Sequence, residues 1–330
     1  MRIAFFNTKA YERPWFEQYR GHHQISFFDE PLTTFHAELA SGHQAVCAFV
    51  QDNLSKPTLK ALKEAGVSIV AMRCAGLDNV DLETAEQLGL TVINVPDYSP
   101  FAVAEQAVTL VLGLMRHLTE ASKRVEAGNF TINGLVGTEL HGKTVGVVGT
   151  GHIGRAFCQI MLGFGCRVIA YDIRPGAQLM RLGVQYVSMN ELLTQSDVLA
   201  LHCPLNETTK NMIDADALAA MKPTAILINT SRGKIVDTDA VLTALNQGRL
   251  AGYGADVYEQ EANWFGRDWS LEGVGDDLLN RLRSHPRVLL TAHQGFLTEE
   301  ALCQIARSLL NKLSFHEGRQ LEGITHASMC

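Results

Sequence analysis

Several things are missing from this sequence, and each absence closes a line of interpretation. The seven cysteines contain no C-x-x-C pair. Nothing therefore suggests a zinc knuckle or a disulfide framework, and an odd number of thiols fits a reducing setting. There is no block of basic residues. The formal net charge of −7 is spread along the chain, which removes nucleic acid as a partner. No run approaches the roughly 18 uninterrupted apolar residues of a membrane span, and Met1-Arg-Ile-Ala-Phe-Phe-Asn turns polar too early for a secretory signal. A cytoplasmic protein with no membrane partner is expected. The adjacent His22 and His23 have no cysteine or carboxylate at ligand spacing, so they are read as solvated surface side chains and no metal is expected.

What is present is an ordinary globular composition, 46% hydrophobic and 19% charged over 330 residues, enough for two domains with large cores. One stretch organises the rest. A short apolar run over 145–148 enters Gly149-Thr-Gly151-His-Ile-Gly154, and Ile153, Ala156, Phe157, Ile160, Met161 and Phe164 then recur at helical spacing. Gly165 stops that helix and 167–171 forms a second strand. Asp172 follows about 20 residues after the glycines, where the dinucleotide fingerprint requires an acid. Gly149 permits the tight turn, Gly151 the approach of a pyrophosphate, and Gly154 the close packing of helix on strand, while the N–H groups at His152 and Ile153 open the helix toward the phosphates. Asp172 accepts hydrogen bonds from ribose hydroxyls and repels a 2′-phosphate, which favours NAD. Arg174 is the group that would hold such a phosphate, so strictness for NAD over NADP stays open.

Before this stretch, apolar runs at 3–6, 25–28, 45–50, 68–72 and 91–95 alternate with amphipathic segments, the pattern of a small α/β domain with a mostly parallel sheet. Ser99 and Pro100 open a long helix over 101–127, the serine as N-cap and the proline as first residue. Its stripe of Ala104, Val108, Val111, Met115 and Leu118 lies beside a second of Val103, Ala107, Leu110 and Leu114, a face wide enough for a domain core and a second subunit together. Strands near 145–148, 167–171, 197–201, 225–229, 251–256 and 287–291 then alternate with helices near 152–164, 189–195, 214–220 and 237–247. This predicts a doubly wound sheet with its ligand at the carboxyl ends of the strands. A last helix over 299–315 is expected to return to the first domain. The aromatic segment 261–278, with Trp264, Phe265 and Trp269, is expected to pack over the cleft or a neighbour.

The residues that follow the late strands converge on one edge: Cys203 and Pro204, Thr230-Ser231-Arg232-Gly233, Asp256 and His293. With a nicotinamide across that edge and a 2-oxo acid against it, reduction needs a cation for the carboxylate, a proton donor for the carbonyl oxygen, and a group that keeps the donor charged. Arg232 offers the first as a bidentate fork. His293 offers the second, and Glu261 the third by raising the imidazole pKa.

These residues, with Arg73-Cys-Ala-Gly-Leu-Asp-Asn-Val-Asp-Leu82, Asn94-Val-Pro-Asp-Tyr-Ser-Pro100, Asn229-Thr-Ser-Arg-Gly-Lys234, Asp256-Val-Tyr-Glu-Gln-Glu261 and Thr291-Ala-His-Gln-Gly-Phe296, make the chain resemble the D-isomer-specific 2-hydroxyacid dehydrogenases over nearly its whole length. The lactate-type bacterial members are the nearest in pattern. The resemblance implies two Rossmann-like or flavodoxin-like α/β domains with doubly wound parallel sheets, an NAD domain over 101–296 being inserted into a split substrate domain of 1–100 plus 297–330. It implies an Arg–Glu–His set on Arg232, Glu261 and His293. Cofactor contacts fall on the glycine turn, Asp172, Cys203, Pro204, Thr230, Ser231 and Asp256, and substrate contacts on Ala75, Gly76, Tyr98 and Phe296. It further implies a homodimer or homotetramer through the 101–127 helix. The expected reaction is reversible reduction of pyruvate to D-lactate by NADH. The alternatives are a sister reductase of glyoxylate, hydroxypyruvate or a bulkier 2-oxo acid and, more remotely, an NAD-sensing corepressor, whose polar tails and basic patches are not found here. Gly295 stands where relatives often have alanine, which leaves the size of the pocket near Phe296 open.

Overall fold

Short apolar runs separated by helices are joined by crossovers, which make neighbouring strands parallel. The computed structural model describes residues 1–96 and 98–318; Asp97 of the 94–100 motif and residues 319–330, assigned above to the split domain, lie outside the described residues. In chain order the elements are β1 (Arg2–Phe5), α1 (Arg13–Tyr19), β2 (Gln24–Phe27), β3 (Ala45–Ala48), α2 (Lys56–Glu64), β4 (Ile69–Met72), α3 (Leu82–Gln87), β5 (Thr91–Ile93), α4 (Pro100–Met115), α5 (Leu118–Glu126), β6 (Thr144–Val148), α6 (His152–Gly163), β7 (Arg167–Tyr171), α7 (Ala177–Arg181), β8 (Gln185–Tyr186), α8 (Met189–Gln195), β9 (Val198–Leu201), α9 (Ala215–Ala220), β10 (Ile226–Asn229), α10 (Thr238–Asn246), β11 (Gly252–Ala255), α11 (Asp277–Ser284), β12 (Val288–Leu290) and α12 (Glu299–His316). The chain divides into two units, Met1–Ser99 with the segment from Leu297 onward, and Pro100–Phe296.

In the first unit five parallel strands lie in the order β2-β1-β3-β4-β5. β3 and β4 are buried at every position, as strands covered on both faces are. α12 lies beside α1 and β4. Thr298 caps it by accepting the Ala301 N–H at 3.2 Å, and its Ile305, Leu309 and Leu313 are buried. One expectation fails in this unit. His23 is 2% exposed rather than solvated, because its Nε2 meets Ser314 Oγ of α12 at 2.8 Å and its Nδ1 faces the Met1 nitrogen at 3.3 Å.

The second unit carries seven parallel strands in the order β12-β11-β10-β9-β6-β7-β8. The chain runs outward from β6 to β8, returns to β9 on the other side of β6, and runs outward again. Such a reversal opens a crevice at the carboxyl ends of the strands beside β6. Alternation along the strands gives each face its own core: Ile226 and Ile228 pack with Val108 and Leu110 of α4 and Phe157 of α6, while Leu227 packs with Leu218, Leu242 and Leu282 of α9, α10 and α11. The sequence pattern does not announce β8, α7 or α11. β8 has two residues and no visible period. α11 starts inside the segment read as irregular, where Asp276 accepts the Leu279 N–H at 2.9 Å. Before it, Trp264, Phe265 and Val274 pack against the second unit's own core.

The single helix expected over 101–127 is two helices. α4 and α5 meet at a bend of 65°, with His117 between them in the left-handed region at φ +51°. The cause comes from downstream. Thr138 N–H caps the end of α4 by donating to Met115 O at 3.1 Å, and Gly137 passes so close that a Cβ there would lie 2.3 Å from the same oxygen. The buried stripe therefore ends at Met115, and Leu118 is 62% exposed. No single helix among the described residues is long and apolar enough to cross a membrane.

Candidate active site

β6 ends at Val148 and the chain turns at once. Gly149 takes φ +87°, and a Cβ on it would lie 2.8 Å from Cys203 N, so only glycine fits between β6 and the loop after β9. A Cβ on Gly154 would lie 2.0 Å from Gly149 O, whereas one on Gly151 would meet nothing within 4 Å. The first two-way squeeze seats α6 on the strand; the open side at Gly151 leaves the backbone approachable. His152 and Ile153 form the first turn of α6, and Gly151 as N-cap has no side chain to occupy their N–H groups, which suits an anion. Asp172 directly follows the neighbouring strand β7. Burial pushes its pKa up, but hydrogen bonds from Thr150 N at 2.6 Å, Arg174 N at 2.8 Å and Thr150 Oγ1 at 2.9 Å hold it below the ordinary carboxylate value.

The loops after β9 and β10 complete this edge. Ser231 Oγ donates to Cys203 O at 2.5 Å, and Asn229 bridges the turn by accepting Ser231 N–H at 3.0 Å and donating to Arg232 O at 2.9 Å. Pro204 is exposed beside Cys203. Thr230 Oγ1 and both ring nitrogens of His202 are buried with no protein partner. Burial pulls the His202 pKa down to about 4, so the ring is neutral. A buried hydroxyl and a neutral imidazole with unused hydrogen-bonding capacity, beside an open glycine turn, fit a polar dinucleotide.

The second part of the site is built from three loops. Gly233 packs so tightly that a Cβ would lie 2.1 Å from the Tyr258 carbonyl carbon, which ties the Arg232 loop to the chain that carries Glu261. His293 holds a left-handed backbone at φ +55°, uncommon for a side-chain-bearing residue. Asp256 makes that turn tenable. It is 1% exposed; its carboxylate accepts Thr291 Oγ1 at 2.5 Å, Gln294 N–H at 2.9 Å and Gly295 N–H at 2.7 Å, and its carbonyl accepts His293 N–H at 2.7 Å. The carboxylate expected at the cofactor is thus engaged in holding the histidine turn.

His293 Nδ1 donates to Glu261 Oε1 at 2.6 Å, and Glu261 Oε2 accepts Tyr258 N–H at 2.9 Å. A carboxylate only accepts, so Nδ1 carries the shared proton and Nε2 is the nitrogen that gains or loses one. Burial opposes charge on this ring and Arg232 adds to that opposition, yet Glu261, with Asp256 behind it, raises the His293 pKa above its ordinary value. A guanidinium, an imidazole and a carboxylate within mutual influence can bind an anion and deliver a proton next to it.

Ala75, Gly76 and Tyr98 belong to the first unit. Ala75 and Gly76 follow β4 at the carboxyl edge of its sheet, where Asn94 Nδ2 donates to Ala75 O at 2.8 Å and Val95 N–H to Cys74 O at 3.1 Å. Arg73, the residue that leads into this loop, is fully buried, bonded to both oxygens of Glu12 at 2.9 and 3.1 Å and stacked over Phe5 and Phe49. Tyr98 is half-buried, and Phe296 is buried at the end of the second unit, three residues after His293.

Residues 108–295 match the family described as D-isomer specific 2-hydroxyacid dehydrogenase, NAD binding domain. The chain belongs to this dehydrogenase family. It is 45% identical over 317 residues to 2-hydroxyacid dehydrogenase homolog 2 of Schizosaccharomyces pombe, covering 95% of this chain and 96% of the yeast protein. To the D-lactate dehydrogenase of Escherichia coli K12 it is 42% identical over 316 residues, covering 95% and 96% of the two. Among solved structures, the pyruvate reductase of Chlamydomonas reinhardtii matches with a TM-score of 0.90 at 39% identity over 98% of each chain. The dehydrogenase is an NAD-dependent oxidoreductase of two parallel-stranded α/β units.

Sequence reasoning misses three residues that hold the dehydrogenase's site in shape. Thr150 fixes Asp172 from inside the glycine turn. Tyr258 supplies the N–H that locks Glu261. Asp276 accepts Tyr258 Oη at 2.9 Å and Trp264 Nε1 at 3.1 Å while it caps α11, pinning both ends of the loop that carries Glu261. The signal for Asp276 is present in the sequence as an N-cap acid ahead of Leu278, Leu279 and Leu282; its pairing with Tyr258 and Trp264 has none.

Proposed function

We propose that this dehydrogenase reduces pyruvate to D-lactate reversibly, with His293 as proton donor and Arg232 as the cation for the substrate carboxylate. The 2.6 Å bond from His293 Nδ1 to Glu261 Oε1, on a ring that also feels Arg232, carries the reading. A donor kept charged beside a fixed cation suits a 2-oxo acid whose carbonyl becomes an alcohol. Bound NADH supplies the hydride to the carbonyl carbon. Arg232 grips the carboxylate through its fork, His293 Nε2 gives its proton to the carbonyl oxygen, and Glu261 stabilises the imidazolium beforehand. In the reverse direction neutral Nε2 takes the hydroxyl proton. Within this proposal Ala75, Gly76, Tyr98 and Phe296 are the substrate contacts that the family resemblance implies. Cys203, Pro204, Thr230 and Ser231 line the cofactor beside the glycine turn, and anionic Asp172 selects NAD over NADP.

Pyruvate is supported by the activities named for the Escherichia and Chlamydomonas relatives. The test is NADH oxidation with pyruvate, glyoxylate, hydroxypyruvate and 2-oxoisocaproate, with product chirality assayed. The highest kcat/KM for pyruvate, giving D-lactate alone, is expected. Preference for another 2-oxo acid would move the enzyme to a sister activity, and L-lactate would refute the arrangement.

We also infer a homodimer or homotetramer. Because the apolar face of α4 is buried in its own unit, the support comes from α5 and the chain after it, where Leu118, Val125, Phe130, Ile132 and Val136 are 55–89% exposed. Light scattering that returns a monomer mass would overturn this. A cytoplasmic setting is part of the same proposal.

A further inference from the structure

The first unit gathers a second set of chemically capable side chains where the two distant parts of its chain meet. Gly21, at φ +54°, turns the chain after α1 so that His22 and His23 face the end of α12. Glu317 is the C-cap of α12. The Met1 nitrogen takes Glu317 Oε1 at 2.6 Å and also faces His23 Nδ1 at 3.3 Å, a contact that a bound ion would replace, while Oε2 stands 2.7 Å from His22 Nε2 and 3.7 Å from His23 Nδ1. The two histidine rings are tilted by 40° to one another with centroids 4.3 Å apart. Among the described residues this is the one grouping of three His, Cys, Asp or Glu side chains whose donor atoms all lie within 4.8 Å of one another.

Two imidazole nitrogens and one carboxylate oxygen are the donors a borderline transition ion takes, whereas magnesium and calcium want oxygen alone. Around zinc, with bonds of about 2.0 Å, tetrahedral donors stand about 3.3 Å apart. The observed 2.7 and 3.7 Å bracket that spacing, so small movements of exposed side chains would seat an ion. The buried ligand is already oriented: His23 Nε2 is engaged by Ser314 Oγ at 2.8 Å, the kind of outer hydrogen bond that fixes a ligating imidazole. His22 and Glu317 are 28% and 22% exposed, which gives the ion an entry path and water for its remaining positions.

We propose that His22, His23 and Glu317 bind one divalent transition ion of the zinc or nickel class, which cross-links the turn after α1 to the end of α12. The test uses the full chain without a polyhistidine tag, titrated with nickel chloride and separately with magnesium chloride, for the native enzyme and for His22→Ala and Glu317→Gln. Both substitutions fall on partly exposed side chains, and circular dichroism checks that the variants remain folded. One nickel ion per chain at this site is expected, with no response to magnesium. Each variant should weaken that binding by at least about tenfold, and the nickel-induced rise in Tm should vanish while NADH oxidation without added metal is unchanged. Absence of nickel binding in the native chain would overturn the proposal. So would binding that survives at equal affinity in either variant, because a three-donor site needs both side chains.

Discussion

The bond between Glu261 and His293 can be tested by changing one atom. In Glu261→Gln the shape is kept and the negative charge is lost. A hydrogen bond to a charged group contributes about 1.5–3 kcal/mol, so the imidazolium should lose stabilisation equivalent to about 10- to 100-fold in its population near neutral pH. Burial and Arg232, which both oppose the charge, are then met only by Asp256. The sign follows from the direction of the reaction. In the proposed roles reduction needs protonated His293, so its kcat/KM should be full below the raised pKa and decline as pH rises through it. In the variant that decline should begin at lower pH, while D-lactate oxidation, which needs the neutral ring, should lose less. The amide also places an NH2 group opposite either Tyr258 N–H or His293 Nδ1–H, a mismatch of about 1–3 kcal/mol that should lower the whole profile without moving its break. Initial rates of NADH oxidation with pyruvate, and of NAD reduction with D-lactate, measured across pH separate the two effects. A profile that drops uniformly with its break in place would refute the electrostatic role and leave Glu261 as a structural support.

Other expectations follow from the same geometry. Arg232→Lys should raise KM for pyruvate and lower kcat, together about 10- to 100-fold in kcat/KM, because one point charge replaces a bidentate fork; unchanged steady-state kinetics would remove Arg232 from the site. Asp276→Asn presents an amide to two donors, Tyr258 Oη and Trp264 Nε1. It should cost about 1–3 kcal/mol of stability, seen as a lower Tm, and should shift tryptophan emission while the Glu261 loop loosens and kcat falls. Asp172→Asn should improve the use of NADPH relative to NADH by about tenfold, the scale of one removed charge repulsion near the surface; an unchanged ratio of kcat/KM values would show that Asp172 does not face the ribose.

How much of this is readable from sequence depends on how far apart the cooperating residues lie. The glycine turn, the strands and Asp172 are local, and their spacing alone places them. The pairing of Glu261 with His293 spans two loops but leaves residues of distinctive chemistry at strand ends. By contrast, the bend at His117 is set by Gly137 and Thr138, which return to cap α4 from a stretch with no pattern of its own. The burial of His23 depends on Ser314, on the far side of the inserted unit, so a paired histidine looks like a surface feature. Asp256 is placed at the site by following β11; that its oxygens also hold the His293 turn is a matter of backbone direction, which composition does not encode.

The split of the first unit has a consequence for how the enzyme is made. β1 to β5 leave the ribosome early, but α12, which lies beside α1 and β4, follows only after the whole inserted unit has been synthesised. Each large apolar side chain it buries contributes about 1.5–3 kcal/mol, so the nascent first unit waits with an uncovered face while the second, contiguous in sequence, already has every element it needs. The inserted unit is therefore the one that can fold during translation, and the host closes around its own two ends last.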